Sequence, residues 1–360
     1  MNRPEISNDI KRAHTLPGNF YNSAAQFEAV TEKIFARSWL YLTDVNAVRQ
    51  EQLLSPFTLL PGVLDEPIVL SCDRRGELHC LSNVCTHRGA IIVEQQKKGR
   101  LLSCGYHGRC FSLDGKFRSM PAFEATENFP TEADHLHLIP FAERLKLLFV
   151  SLQPRVDFGQ MFQPILDRVG WLPLDQMVYN EAQSRTFHVK ANWALYCDNY
   201  LEGLHIPFVH PSLNEALSFE DYAYELFPYC NLQLGVAKSN ENCFDLPASS
   251  VDYGKNIYAY YFWLFPNLMF NFYPWGLSLN VVEPINHQET RVVFKTYLFP
   301  DAQSEREINR IDETEYEDEA VVESVQRGLR SRFYDRGRYS PSMEQCVHHF
   351  HRLIADFLEH

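Results

Sequence analysis

The sequence predicts an α+β protein of two domains, and three patterns in the chain carry that prediction. Residues 42–153 are dense in strand and turn signals with no long helical period, as a small all-β domain requires. Beyond residue 154, five apolar segments read as strands of one antiparallel sheet. Helical periods at about 193–205, 311–331 and 343–358 supply a layer to cover that sheet. At 360 residues the chain is long enough for both cores.

In chain order, 24–39 is an amphipathic helix within an N-terminal segment, 1–41, expected to pack on the larger domain. Segments 67–72 and 77–82 alternate about Arg74-Arg75-Gly76, a hairpin signal inside the small domain, 42–153. Pro154 to Pro173 forms the transition into the larger domain, 154–360. Its strands are expected at 186–190, 257–265, 268–273, 277–282 and 290–299. The aromatic run from Tyr258 to Trp263, continuing through Phe270, Phe272, Tyr273 and Trp275, is expected to be mostly core, with alternate residues facing a pocket. In the last helix Val347, Phe350, Ile354 and Phe357 form the buried stripe, and Ser342 with Gln345 reads as a capping box. His348 and His349 are expected to face solvent.

A net charge of −13 argues against nucleic acid or an anionic membrane as partner. No apolar run is long enough to span a bilayer, and the first thirty residues carry no apolar signal-peptide core. Nine cysteines without a disulfide pattern suit a reducing cytoplasm.

Cys85-Thr-His87 and Cys104-Gly-Tyr-His107 each pair one thiol with one imidazole, with sixteen residues between the pairs. Two thiolates on one iron and two neutral imidazoles on the other are the ligands of a Rieske [2Fe–2S] cluster. A structural Cys₂His₂ zinc site is the competing reading, but zinc sites join Cys to Cys and His to His at wider spacings. High-potential Rieske proteins of respiratory chains add a cysteine to each half-site. Ala90 and Tyr106 stand there, so no disulfide closes over the cluster and a low potential is expected.

Downstream, His205 and His210 with a later carboxylate are the donors of the facial triad that binds non-haem Fe(II) and leaves positions open for O₂. On a straight helix they would stand about 140° apart at roughly 100° per residue, so they converge only if the helix kinks or ends. Pro207 is expected to disrupt the turn at Gly203 and swing His210 back beside His205. Glu202, at i−3, shares the His205 face. For the carboxylate, a helix at 311–329 offers Asp318, followed by Val322, Val325 and Leu329 on one stripe. A carboxylate on an apolar stripe needs a cation or a proton. Glu315 is the rival on that face, whereas Glu317 and Glu319 read as solvated charge.

Over nearly all its length the chain resembles the α subunits of Rieske non-haem iron ring-hydroxylating oxygenases. The resemblance runs through Phe20-Tyr21, Ile34 to Trp39, Cys85 to Gly89, Cys104 to Gly108, Asn192-Trp193 and Asp198-Asn-Tyr-Leu-Glu202. It continues through the two histidines and Glu317-Asp318 with Glu323 and Gln326. It implies a small all-β Rieske domain beside a catalytic domain of helix-grip type. Cys85, His87, Cys104 and His107 would hold the [2Fe–2S] cluster, and His205, His210 and Asp318 a mononuclear Fe(II). Glu202 would link the two centres, with Asn199 beside it as a second catalytic residue. Arg109 departs from the Trp that often follows His-Gly in the family, and is expected to change the surface over the cluster. Glu rather than Asp at 202 resembles the choline and carnitine monooxygenase branch.

The implied activity is that of a terminal oxygenase acting with O₂ on a small organic molecule. The first candidate is a quaternary amine, by monooxygenation or N-demethylation; the alternative is aromatic ring dioxygenation. Electrons would come from an NAD(P)H-dependent reductase, directly or through a ferredoxin, because the chain has neither G-x-G-x-x-G after a strand nor plant-type ferredoxin cysteines. The resemblance also implies a homotrimer. Two other classes stand as rivals. A Rieske electron carrier or redox sensor needs only the first motif, and a helix-grip binding protein would keep the cluster as a vestige.

Overall fold

The computed structural model describes residues 4–216, 222–238, 242–300, 302 and 305–360. They fall into two compact units, one of Trp39–Pro154 and one of Met1–Ser38 with Arg155–His360.

The N-terminal segment contains α1 (Gly18–Asn22) and α2 (Ala24–Val30), the latter capped by Ser23, whose Oγ accepts from Gln26 N at 3.3 Å. The helix predicted over 24–39 ends early. At Thr31–Phe35 it widens into a π turn, which brings the adjacent Ile34 and Phe35 both inside. Tyr21 and Asn22 tie this segment to its unit. Tyr21 Oη donates to Asp198 Oδ2 at 2.8 Å, and Asn22 Nδ2 donates to Leu329 O at 3.1 Å.

The unit Trp39–Pro154 holds β1 (Leu40–Asp44), a short α3 (Val45–Val48), β2 (Leu53–Leu59), β3 (Glu66–Cys72), β4 (Leu78–Ser82) and β5 (Lys97–Lys98). Then come β6 (Leu102–Ser103), β7 (Cys110–Phe111), β8 (Phe117–Ser119), β9 (Phe141–Arg144) and β10 (Leu147–Val150). They make three antiparallel sheets, ordered β1-β10-β9, β4-β3-β2-β5 and β6-β7-β8. The predicted hairpin is β3–β4, turning at Gly76 with φ +80°. Val69, Leu81, Leu102 and Phe111 form a core that also buries Cys85 and Cys104.

The larger unit begins with α4 (Phe158–Val169), a helix inside the 154–173 transition that the sequence predicts. Asp157 caps it, accepting from Gln160 N at 2.9 Å, and Phe158, Met161, Phe162, Ile165 and Val169 are buried. Pro164 within it disguised the helical period. Next come β11 (Val178–Val189), α5 (Trp193–Tyr200), α6 (Ile206–Val209), α7 (Pro211–Ala216), β12 (Ala223–Phe227) and β13 (Cys230–Val236). The chain ends through β14 (Ile257–Leu264), β15 (Leu268–Tyr273), β16 (Gly276–Asn286), β17 (Glu289–Leu298), α8 (Glu305–Gly328) and α9 (Gln345–Glu359). The strands form one seven-stranded antiparallel sheet in the order β11-β17-β16-β15-β14-β13-β12. β12 and β13 were not anticipated. In β13 Cys230, Leu232, Leu234 and Val236 alternate with Asn231, Gln233 and Gly235 as in a half-exposed strand, yet almost the whole strand is buried, its polar face included.

α9 departs from expectation in two ways. Its N-cap is Glu344 without a side-chain bond, and Gln345 Nε2 donates to Pro341 O at 2.9 Å, so the Ser342–Gln345 capping box does not form. His348 and His349 do not face solvent. His348 Nε2 lies 2.7 Å from Ser7 O, and His349 Nδ1 lies 2.7 Å from Asn231 Oδ1, because the N-terminal segment and β13 cover that face. Burial holds His349 in its neutral form, with a pKa lowered to about 4. Among the described residues no helix is long and apolar enough to cross a membrane.

Candidate metal centres and cavity

The two Cys/His half-sites fold into loops of the same design. Gly89 N donates to Cys85 O and Cys85 N to Ala90 O, at 2.9 and 2.8 Å; Gly108 N donates to Cys104 O and Cys104 N to Arg109 O, at 3.1 and 2.8 Å. Gly89 (φ +72°) and Gly108 (φ +73°) each supply the left-handed turn that closes a loop, which is the reason for glycine at both positions. The loops present two buried thiols and two imidazoles, His87 and His107, with ring centroids 4.7 Å apart. Slight desolvation, His107 and the nearby cations Arg88 and Arg109 hold the His87 pKa below the usual imidazole value. The neutral ring is the form that ligates iron. All nine cysteines are free, so no disulfide braces the loops.

A brace of another kind is present. Arg109 is not on the surface over the cluster loops: it is 2% exposed. Its guanidinium lies among Phe111, Phe117 and Phe129 and donates to Asp134 Oδ1 at 2.6 Å. Thr86, between Cys85 and His87, donates through Oγ1 to Asp134 O at 2.9 Å. Asp134 thus anchors both loops at once. A lone aspartate in a loop carries no local signal in the sequence.

In the larger unit, α5 begins at Asn192, whose side chain accepts from Ala194 N at 3.0 Å and whose amide donates to His287 O at 3.0 Å. The helix ends at Tyr200, five residues short of the expected end. The break falls at 201–205, around Gly203 as expected, but Pro207 does not cause it: Pro207 sits in the first turn of α6, where its missing amide is harmless. Gly203 lies in the break, and a Cβ there would come within 3.0 Å of the Tyr222 ring. With the helix interrupted, His205 and His210 face each other, ring centroids 5.0 Å apart.

Asp318 of α8 meets both. His210 Nε2 is 2.9 Å and His205 Nε2 3.6 Å from Asp318 Oδ1, and one donor atom from each residue lies within 4.8 Å of the others. Carboxylates pin the far side of each ring. Glu202 Oε1 is 2.6 Å from His205 Nδ1, while its Oε2 accepts from His205 N at 3.1 Å; Glu317 Oε2 is 2.7 Å from His210 Nδ1. Both rings therefore turn Nε2 towards Asp318, the second-sphere arrangement common around metal-binding histidines. Burial alone would lower the His210 pKa, but Asp318 and Glu317 outweigh it and the net shift is upward. Glu317 is thus a partner of His210, not solvated charge. Glu319 is also half-buried, which raises its pKa.

Glu315 stands apart from this cluster. It is 3% exposed and accepts from Tyr196 Oη at 2.6 Å. Burial and Glu315 together push the Tyr196 pKa well up. The buried stripe of α8 is more polar than predicted, with Glu315, Val322 and Gln326 inside and Val325 42% exposed. Gln326 explains part of this: its Oε1 accepts from Asn192 N at 2.8 Å and its Nε2 donates to Asn22 at 2.7 Å.

A cavity of about 150 Å³ opens beside His205, His210 and Asp318, with Asn199 and Glu202 in its wall. Tyr196, Tyr200, Tyr222, Tyr258, Tyr261 and Tyr273 line much of the rest, with Asn271, Asn280 and Ser278. Tyr258 and Tyr261 would face opposite sides of a regular strand. The register of β14 slips beside Tyr258, Gly235 pairing with Ala259 and Val236 with Ile257, and this bulge lets both tyrosines reach the cavity. Phe270 and Phe272 remain in the core, as predicted for most of the run.

A Cys/His loop pair in one unit and a two-histidine, one-carboxylate set beside a cavity in the other mark an oxidoreductase with two metal centres. Residues 39–130 match the Rieske [2Fe-2S] domain and residues 176–360 the ring hydroxylating alpha subunit (catalytic domain). The chain belongs to the ring-hydroxylating α-subunit family and is a Rieske-type oxygenase. It is 28% identical to the chloroplastic choline monooxygenase of Arabidopsis thaliana over 96% of this chain and 83% of that one. It is equally similar, 28%, to the carnitine monooxygenase oxygenase subunit of Escherichia coli (strain K12), over 96% and 94%. Its fold is similar to that of a quaternary ammonium Rieske monooxygenase in complex with L-carnitine (TM-score 0.77, 22% identity, 99% of each chain). Naphthalene 1,2-dioxygenase from Rhodococcus sp. is also similar (TM-score 0.71, 18% identity, 96% and 94%). The two domains imply a Rieske [2Fe–2S] cluster and a mononuclear iron, and the donor chemistry of the two sites fits both groups.

Proposed function

We propose that Cys85, His87, Cys104 and His107 hold the cluster, that His205, His210 and Asp318 hold the iron, and that the substrate is a small quaternary amine. The observation that carries this reading is the tyrosine-lined cavity directly beside the His/Asp donor set. Aromatic faces attract a methylated ammonium by cation–π contact, and the carboxylates in the same wall favour positive charge. When bound, the iron supplies O₂ activation, with electrons from the cluster. The chain's own residues orient the donors: Glu202 and Glu317 fix both imidazoles, and Tyr196 holds Glu315. Asn199, in the cavity wall, is a positioning residue for the substrate. The names of the choline and carnitine relatives support the same substrate class.

In this proposal the enzyme works as a homotrimer in a reducing cytoplasm, and a separate NAD(P)H-dependent reductase supplies electrons. Glu202 links one copy's iron to the neighbouring copy's cluster. Tyr106 beside His107 and Phe208 beside His205 are 63% and 84% exposed, apolar surfaces that a neighbouring copy would cover. The test is NADH-coupled O₂ uptake with a reductase and a panel of choline, carnitine, glycine betaine and simple aromatic acids, alongside metal analysis. Turnover of an ammonium compound with about three irons per chain is expected. Turnover of aromatic acids alone would replace the amine reading with the dioxygenase one, and about two irons per chain would leave an electron carrier.

A further inference from the structure

The proposed substrate class spans two kinds of molecule, cations such as choline and zwitterions such as carnitine, and similarity does not separate them, since relatives of both kinds are 28% identical to this chain. The chemistry of the cavity wall does. We infer that the substrate is a methylated ammonium cation without a carboxylate, and that Glu315 is the residue that selects its charge. This inference rests on the quaternary amine reading.

Charge comes first. Glu202, Glu315 and Asp318 all line the cavity, and among the described lining residues there is no lysine or arginine. With neutral imidazoles, a divalent iron does not balance these three carboxylates and Glu317 beside His210, so the site is short of positive charge. A monocation narrows that gap, whereas a zwitterion does not. A zwitterion would also place a further carboxylate against a wall without lysine or arginine, and burying an unpaired anion is costly.

Hydrogen-bond supply points the same way. A carboxylate needs donors, and three of the six cavity phenols have committed theirs. Tyr196 Oη donates to Glu315 Oε2 at 2.6 Å, Tyr200 Oη to Asn271 Oδ1 at 2.7 Å, and Tyr222 Oη to Gln233 Oε1. Gln233 Nε2 is held by Tyr200 O at 2.8 Å. What Tyr196, Tyr200 and Tyr222 present to a ligand is therefore ring face and oxygen lone pair, both of which attract cations. Asn280, whose Oδ1 accepts from Ser278 Oγ at 2.9 Å, offers a neutral amide suited to a hydroxyl. Glu315 belongs to this wall rather than to the His/Asp donor set. Tyr196 fixes it through one oxygen, and its burial strengthens its field in the cavity.

The experiment is calorimetric binding to the anaerobic, iron-loaded wild-type enzyme, which needs no turnover. The ligands are choline, its uncharged carbon isostere 3,3-dimethylbutan-1-ol, glycine betaine and L-carnitine. Choline should bind at least about tenfold more tightly than each of the other three. Glu315→Gln, which keeps the acceptor for Tyr196, should cut that preference over the isostere to within about threefold while iron content stays unchanged. Betaine or carnitine binding as well as choline would overturn the inference and leave the quaternary amine reading standing. Weak binding of every ammonium compound beside tight binding of an aromatic acid would overturn both. A Glu315→Gln enzyme that keeps its iron and the full preference for choline over the isostere would remove Glu315 from the selecting role.

Discussion

The Cys/His loops and the His/Asp site solve the same problem, holding the proposed iron donors in place, by opposite means. Every proposed cluster donor comes from two neighbouring loops that close by the same pair of backbone bonds and the same left-handed glycine. Asp134 then locks the loops together through Thr86 and Arg109. The other site gathers its donors from far apart: 108 positions separate His210 from Asp318, and α5 must end before the histidines can meet. Its order comes from carboxylates, Glu202 on one ring and Glu317 on the other. The difference teaches what each centre is for. A cluster that only passes electrons gains from closed, locally coded loops. An iron that must accept O₂ next to a substrate needs open positions and a cavity, which packed elements provide and a tight loop does not.

The largest effect expected from this contrast is at Asp318. Asp318→Ala should remove the mononuclear iron and reduce turnover to background, while the Rieske electron paramagnetic signal persists, because no donor is shared between the sites. Glu315→Ala should keep the iron. The opposite pattern in metal analysis would mean that the wrong carboxylate has been assigned.

Glu202→Gln should come next. It leaves a hydrogen-bonding group on His205 but not the charge, so both metals should stay while turnover falls by about a hundredfold or more. A chain lacking cluster binding (His87→Ala) mixed with one lacking iron binding (His210→Ala) should recover part of the activity in mixed trimers. No recovery in verified mixed trimers would refute transfer between copies. A smaller loss is expected from Glu317→Gln, which frees the outer nitrogen of His210 while every ligand remains. Iron affinity should drop about tenfold in a chelator competition, with the cluster spectrum unaltered.

The two centres were also unequally legible in the sequence. The proposed cluster donors are local, so their spacing alone carries a Rieske reading, and residues 39–130 match the Rieske [2Fe-2S] domain. Asp318 was readable because a carboxylate on a half-apolar helix face demands a partner, although the face proved more polar than expected, with Val325 outside and Gln326 inside. Glu317 was misread for a geometric reason. One step along a helix turns about 100°, so neighbours of a ligand seem to point away; His210, wedged beside α8, touches both residues with its two nitrogens. The cavity tyrosines were only half legible, because the bulge at Tyr258 changes which side chains share a face and leaves no mark in the composition of the strand. The helix α4 was hidden by Pro164, and His348 and His349 by the chain that covers them.

The brace at Arg109 gives the sharpest test of local rigidity, with the smallest expected effect. Arg109→Met keeps a long apolar stem among Phe111, Phe117 and Phe129 but removes the bond to Asp134. Stripping one partner from a buried ion pair costs about 3–5 kcal/mol, and the partial exposure of Asp134, 19% at its side chain, places the loss at the lower end. The cluster ligands themselves are untouched, so the Rieske signal should still form. Three things should change together. The melting temperature of the Rieske unit should fall, the cluster should be lost faster to a chelator, and the midpoint potential should drop, because a cation beside the cluster stabilises its reduced, more negative state. Asp134→Asn separates these effects. It should weaken the brace and hasten cluster loss while shifting the potential upward, since a negative charge is removed and Arg109 remains. A common downward shift in both variants would mean that loop geometry, rather than charge, sets the potential.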